Sequence, residues 1–276
     1  MQLSGLAAHP AWRTSHPIQA AQQEPGVQQA FTPGLEGASR QALFNRISQN
    51  YDELNDSLSF GLHWVWKSQT VKWSGAKPGQ RVLDLCCGSG DLAFLLARTV
   101  GPKGQVVGLD FAADMLSDAA ARQQTQNKSQ PEGRQTPMEW VQGDAMDLPF
   151  GDSEFDAATM GYGLRNVADI SKTLREVHRV LKPGASVAIL DFNNSSDPIV
   201  DKAQALFLEQ LVVPAARKYG LAAEYEYLRP SIKQFPSGVE QERMARAAGF
   251  TYAKHYEVAF GLMAVLVASK ARPTRF

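Results

Sequence analysis

Ten residues, Val82-Leu-Asp-Leu-Cys-Cys-Gly-Ser-Gly-Asp91, constrain this chain more than any other stretch. Val82, Leu83 and Leu85 make a short apolar run of the kind that fills a central parallel strand. Gly88 and Gly90 follow, and a residue without a Cβ lets the backbone turn tightly and approach a ligand closely. Leu92, Leu95 and Leu96 then recur at helical spacing, so the first N–H groups of a helix point back over the turn. Strand, glycine turn and helix in this order make a cradle for a nucleoside-bearing cofactor.

Gly88-x-Gly90-x-x-Ala93 satisfies the dinucleotide fingerprint, in which alanine is allowed at the third position. Asp110 ends the next apolar run, Val106-Val-Gly-Leu-Asp110, about twenty residues on, where a ribose-binding carboxylate is expected. On this much, NAD and S-adenosylmethionine are both open. Three features favour S-adenosylmethionine. Asp84 lies inside the first strand, usually apolar in a hydride-transfer domain, and a carboxylate there can hold the ammonium of a methionine moiety. Gly143-Asp144-Ala145 follows a third short strand, placing Asp144 to accept a bond from an adenine amino group. No second glycine-rich turn or nicotinamide half follows.

The ordered set Asp84, Gly88, Gly90, Asp110 and Asp144 resembles a class I S-adenosylmethionine-dependent methyltransferase. Four further blocks narrow the likeness: Tyr51-Asp-Glu-Leu-Asn-Asp-Ser-Leu-Ser-Phe-Gly61, Leu148-Pro-Phe150, Gly163-Leu-Arg-Asn166 and Arg179-Val-Leu-Lys-Pro-Gly184. From Leu43 to Lys270 the chain is similar to the ubiquinone/menaquinone biosynthesis C-methyltransferases. Cys86-Cys-Gly-Ser-Gly-Asp-Leu-Ala-Phe-Leu-Leu96, Thr159-Met-Gly-Tyr-Gly-Leu-Arg-Asn166 and Ile189-Leu-Asp-Phe192 are most like the plastid and cyanobacterial branch, which methylates demethylphylloquinone. The resemblance implies a doubly wound, Rossmann-like α/β fold: a mostly parallel seven-stranded sheet closed by an antiparallel C-terminal hairpin. It implies S-adenosylmethionine held by Asp84, Gly88, Ser89, Gly90, Asp110, Asp144, Ala145 and Gly161, no metal, and an acceptor site containing Arg165, Asn166 and Tyr51, with Asp52 beside it.

Such an enzyme would act on a prenylated naphthoquinol, with a demethylmenaquinol or a polyprenyl benzoquinol as the nearest rivals. A nucleotide-linked oxidoreductase and a non-catalytic subunit of the same fold are the readings from other classes. A quinone carbon is electrophilic, so the ring must first be reduced. Ionising a quinol hydroxyl then pushes electron density onto the neighbouring carbon, which attacks the methyl group. Arg165 is the expected electrostatic stabiliser of that phenolate, with a surface ion pair as its bland alternative, and Asn166 the group that orients the hydroxyl. His63, His178 and His255 are scattered and offer no clear general base.

The 276 residues suit one elaborated α/β domain, and 28 basic against 28 acidic side chains give no surplus for a nucleic-acid partner. The only cysteines, Cys86 and Cys87, are adjacent in a strand, which disfavours a disulfide and supplies too few ligands for zinc. Residues 1–39 are rich in Ala, Gln, Pro and Gly, with no acidic residue before Glu24, and read as a tail; the plastid likeness makes it an organelle transit segment. Residues 40–276 form the methyltransferase domain, with 40–78 as a helical lid carrying Trp64, Trp66 and Trp73. Strands are expected at 82–87, 105–110, 138–142, 155–160, 186–192, 251–258 and 262–269. Helices are expected at 112–123, 169–181, 198–219 and 240–248, with Gln124–Pro137 a loop and Lys182-Pro-Gly a helix stop. Leu206, Phe207, Leu211, Val212, Val213, Tyr219, Tyr225, Tyr227 and the closing hairpin are candidates to line a groove for the substrate's tail. A lipophilic substrate also implies contact with a membrane periphery, stroma-side in a chloroplast, and a homodimer is compatible with the sequence.

Overall fold

The computed structural model describes residues 61–129, 131, 133–218 and 228–272. Tyr51, Asp52, the tail, most of the proposed lid and Tyr219, Tyr225 and Tyr227 lie outside them. Seven strands form one sheet in the order β3-β2-β1-β4-β5-β7-β6. They are β1 (Arg81–Leu85), β2 (Gln105–Asp110), β3 (Met138–Gln142), β4 (Phe155–Gly161), β5 (Leu181–Phe192), β6 (Tyr252–Val258) and β7 (Met263–Ser269). The first five pair in parallel; β7 runs antiparallel between β5 and β6. The order in which strands are added reverses between β1 and β4, which remain parallel, and in such sheets ligands bind in the crevice beyond the strands' carboxyl ends.

Period-two alternation sorts each central strand between two apolar layers. Val82, Val106 and Ala157 face Val71 of α1 (Leu62–Ser74) and Leu92, Ala93 and Leu96 of α2 (Asp91–Val100). Leu83, Leu85, Val107 and Ala158 face the larger layer, which takes in Leu174 and Val177 of α4 (Ile170–Val180) and Ala245 of α8 (Gly238–Ala247). Asp84 therefore shares the α1/α2 face, an unusual place for a carboxylate. The helix α3 (Ala113–Lys128) is tied to β3 where Trp140 Nε1 donates to Gln123 Oε1 at 2.8 Å.

Helix starts follow local chemistry. Asp169 accepts from Lys172 N–H at α4, Asp197 from Ile199 N–H ahead of Pro198 at α5 (Pro198–Phe207), and Ser237 with Glu240 forms a capping box at α8. Several boundaries differ from the sequence expectation. Cys86 adopts φ 51° and ends β1 at Leu85, two residues early. The polar run after Arg122 remains helical to Lys128. Lys182-Pro-Gly does stop α4, but β5 starts at once at Leu181 and runs through it, with a register shift opposite Phe155–Ala157. The expected long helix is interrupted by a π turn at Leu208–Val212 before α6 (Val213–Lys218). Leu208, Val212 and Ala216 there, with Leu228 and Ile232 of α7 (Leu228–Gln234), form a small separate core against Phe192 and Phe207. No described helix is long and apolar enough to cross a membrane.

Candidate active site

A cavity opens at the β1/β4 crevice, walled by the glycine turn, the ends of β2 and β3, and the segment after β4. Asp84 and Thr159 are cross-strand neighbours, and the Thr159 hydroxyl donates to Asp84 Oδ1 at 2.7 Å. The other carboxylate oxygen, Oδ2, is buried with no hydrogen-bond partner among the described residues. Burial dominates here and pushes the Asp84 pKa up to about 7. A half-satisfied carboxylate in a cavity wall is costly unless a cation or proton covers it.

Gly88 and Gly90 turn with φ of 53° and 94°, and a Cβ on Gly90 would lie 2.9 Å from Trp140 and 3.0 Å from Phe94. Asp110 accepts from Gly88 N–H and Ala112 N–H, both at 2.9 Å, so it fixes the turn as well as facing the cavity. Burial outweighs those bonds and raises its pKa. Asp144 accepts from Met146 N–H at 2.8 Å, and Ala145 is buried beside it; both line the cavity. Ser89 and Gly161 complete this wall; Arg122 holds the Ser89 carbonyl and hydroxyl at 2.9 and 2.8 Å. Seven of the eight expected cofactor residues thus line one cavity; Gly90 does not line it, and its missing Cβ leaves room for Trp140 and Phe94.

The sequence reading missed a charged cluster on the same wall. Lys67 of α1, almost wholly buried, pairs with Asp91 at 2.5 Å, and Arg122 reaches the other oxygen of Asp91 at 2.7 Å. Burial pushes the Asp91 pKa up, but the two cations outweigh it and hold the group below its ordinary value. Lys67 and Asp91 line the cavity together with Asp84, so side chains of both signs face it. The available signal was a lysine set among Trp64, Trp66 and Trp73, on a helix otherwise read as packing. Both cysteine thiols are raised well above their ordinary pKa, chiefly by burial, so they stay protonated and wall the site without acting as nucleophiles.

The segment after β4 departs furthest from expectation. Tyr162 takes φ 58° and lines the cavity with Gly163, Asn166 and Val167. Arg165 does not line it. Its guanidinium forms a short ion pair with buried Asp191 at the end of β5, donates to the Tyr162 carbonyl at 3.3 Å, and lies 5.2 Å from the centre of the Phe192 ring. Asn166 Nδ2 donates to the same carbonyl at 3.0 Å. The alternative expected for Arg165 was a surface ion pair; the pair exists, but it is buried behind the cavity wall.

The model of the ubiE/COQ5 methyltransferase family matches residues 34–270. The chain belongs to the ubiE/COQ5 methyltransferase family. Among curated relatives, it is 55% identical over 227 residues to the 2-phytyl-1,4-naphthoquinone methyltransferase of Synechococcus elongatus, covering 82% of this chain and 95% of that protein. It is 53% identical over 231 residues to the Arabidopsis thaliana 2-phytyl-1,4-beta-naphthoquinone methyltransferase, chloroplastic, covering 84% and 87%. The fold is shared with a putative S-adenosyl-L-methionine-dependent methyltransferase from Methanococcus maripaludis, at TM-score 0.60 and 19% identity, covering 85% of this chain and 96% of that one. As a ubiE/COQ5 enzyme the chain is an S-adenosylmethionine-dependent methyltransferase. Its residues fit that cofactor: the unpartnered Asp84 oxygen suits the ammonium, and Asp110, fixed by two backbone donors, suits the ribose hydroxyls.

Proposed function

We propose that this enzyme transfers a methyl group to a ring carbon of a phytylated naphthoquinol, the last ring modification of a phylloquinone-type quinone, in a plastid. The observation that carries this reading is the 55% identity to a relative named for that substrate, over 95% of the relative's length. The Arabidopsis relative's name, chloroplastic, supports the compartment, and the lipophilic substrate supports a place at the stromal membrane periphery.

S-adenosylmethionine supplies an electrophilic methyl group on a sulfonium. Asp84 would hold its ammonium, Asp110 its ribose hydroxyls, and the Asp144–Ala145 corner its adenine. Holding donor and acceptor close and aligned provides much of the acceleration in such a substitution. Tyr162, Gly163, Asn166 and Val167 form the acceptor side of the cavity, where Asn166 orients a quinol hydroxyl. The hydroxyl would give its proton to water, the ring carbon would take the methyl group with S-adenosylhomocysteine as the leaving group, and the ring proton would then pass to water to restore aromaticity. Arg165 acts one step back, holding Tyr162 and the Leu164–Asn166 turn in place through the shared carbonyl.

The test is anaerobic transfer of labelled methyl to 2-phytyl-1,4-naphthoquinone with and without a reductant, beside a demethylmenaquinol and a polyprenyl benzoquinol. Product is expected only from reduced rings and fastest from the phytylated naphthoquinol. Equal rates from the oxidised ring would defeat the mechanism, and preference for the benzoquinol would defeat the substrate.

A further inference from the structure

The turn joining β6 to β7, Ala259–Gly261, holds two consecutive non-glycine residues in the left-handed region, Ala259 at φ 53° and Phe260 at φ 56°. L-residues avoid that region because the Cβ crowds the backbone carbonyl. Strain of this kind persists only where the surrounding structure enforces it, and it clusters at functional positions. Here it sets a large aromatic ring wholly into water: Phe260 is 99% exposed. The ring adds nothing to the core it leaves.

The turn stands at the working end of the molecule. Met263, the first residue of β7, pairs with Phe192, the last of β5, which puts the turn at the carboxyl ends of the parallel strands, the end of the sheet at which the cavity opens. Helix α5 is pinned next to it. Gln204 Nε2 donates to the Asn193 and Leu262 carbonyls, each at 3.0 Å, and the Val200 side chain lies against Gly261. Ile199, the neighbour of Val200, is 79% exposed. Behind the tip, Val258, Ala259 and Leu262 pack in one apolar cluster with Phe192 and with Tyr162 of the cavity wall. Apolar packing is therefore continuous from the exposed tip to the acceptor side of the site.

We propose that Phe260 and Ile199 insert into the surface of a lipid bilayer and dock the cavity mouth against it. The proposal rests on the reading of the acceptor as a lipophilic quinol, a molecule that resides in the bilayer. Two protruding side chains are too small an area for a stable protein interface. An aromatic ring and an aliphatic side chain entering the acyl boundary suit a weak, reversible membrane contact.

The experiment uses the full chain, neutral phosphatidylcholine vesicles and the double variant Phe260→Ser, Ile199→Gln. Flotation is expected to show vesicle partition of the wild type falling by about tenfold or more in the variant. Methyl transfer to phytylated naphthoquinol embedded in the vesicles should fall in step, while turnover of a short-tailed, water-soluble naphthoquinol stays unchanged. Phe260→Gly should lose vesicle binding yet melt no lower than wild type, because glycine adopts this conformation freely. Equal partition of wild type and double variant would overturn the proposal, as would a lower melting temperature for Phe260→Gly. So would self-association of the wild type that the double variant abolishes, which would assign the tip to a second copy of the chain. A wild type that methylates neither quinol would sink the substrate reading, while vesicle partition would still judge the tip.

Discussion

Asp84 is pulled two ways. It is buried with one oxygen held by Thr159 and the other unpartnered, and its pKa stands near 7. In the ligand-free chain a raised carboxylate pKa contributes stability that is fully present below the ordinary value of 3.8 and lost as pH rises through about 7. The cofactor's ammonium needs the ionised form, so the proton competes with it. Calorimetry is expected to show S-adenosylmethionine affinity dropping about tenfold per pH unit from pH 7 toward 5.5. Asp84→Asn should flatten that slope and weaken binding at pH 8 by about 1.5–3 kcal/mol, yet melt higher than wild type without ligand because the buried charge is gone. An unchanged slope would place the titrating group elsewhere. Asp110→Ala combines the two effects in the same direction. It should weaken binding by a similar amount and also lower the melting temperature, since Gly88 and Ala112 N–H lose their acceptor.

At the scale of elements, the site depends on how the ends of three strands meet. A Cβ on Gly163 would sit 2.6 Å from the Cβ of Cys86, itself in a left-handed conformation at the end of β1. Gly163→Ala should cost about 1–3 kcal/mol in urea unfolding, and Cys86→Gly in the same chain should recover most of it by removing both the clash and the strain. Full additivity of the two changes would show that the strand ends do not press on each other. Arg165→Ala leaves Asp191 buried without its cation, a change worth about 3–5 kcal/mol. Adding Asp191→Asn should restore part of that stability; an Arg165→Ala variant with normal melting and failed turnover would instead return Arg165 to the substrate. The sequence made the Gly163-Leu-Arg-Asn166 block visible but not its partner. Asp191 lies 26 residues on, and only the pairing of β4 with β5 brings them together. Lys67 stayed hidden for the same reason: its partner Asp91 is on α2, and nothing local to α1 announces it.

Over the whole molecule, seven strands in their correct order of chemistry were legible because apolar runs, glycine turns and aspartates at strand ends are local signals. The satellite core was not, since helical periodicity alone does not reveal a π turn or which helix a stripe will meet. Among the described residues that core holds far fewer buried side chains than the layer under α4 and α8. Hydrogen exchange is therefore expected to open α5, α6 and α7 well before β1 and β4, and Leu208→Ala should speed exchange there while leaving the strands protected; uniform exchange across both regions would make the molecule a single cooperative unit. The order of the sheet has a further consequence for synthesis. β7 follows β6 in the chain, yet it lies between β5 and β6, and Ser186 of β5 is bonded through its hydroxyl to Ser269, the last residue of β7. A ribosome-bound chain can complete the glycine turn and its three aspartates while β5 still presents a bare hydrogen-bonding edge. Chains released before Ser269 would carry a formed cofactor cradle beside an open template for pairing with one another, so premature termination in this protein should yield aggregates rather than soluble fragments.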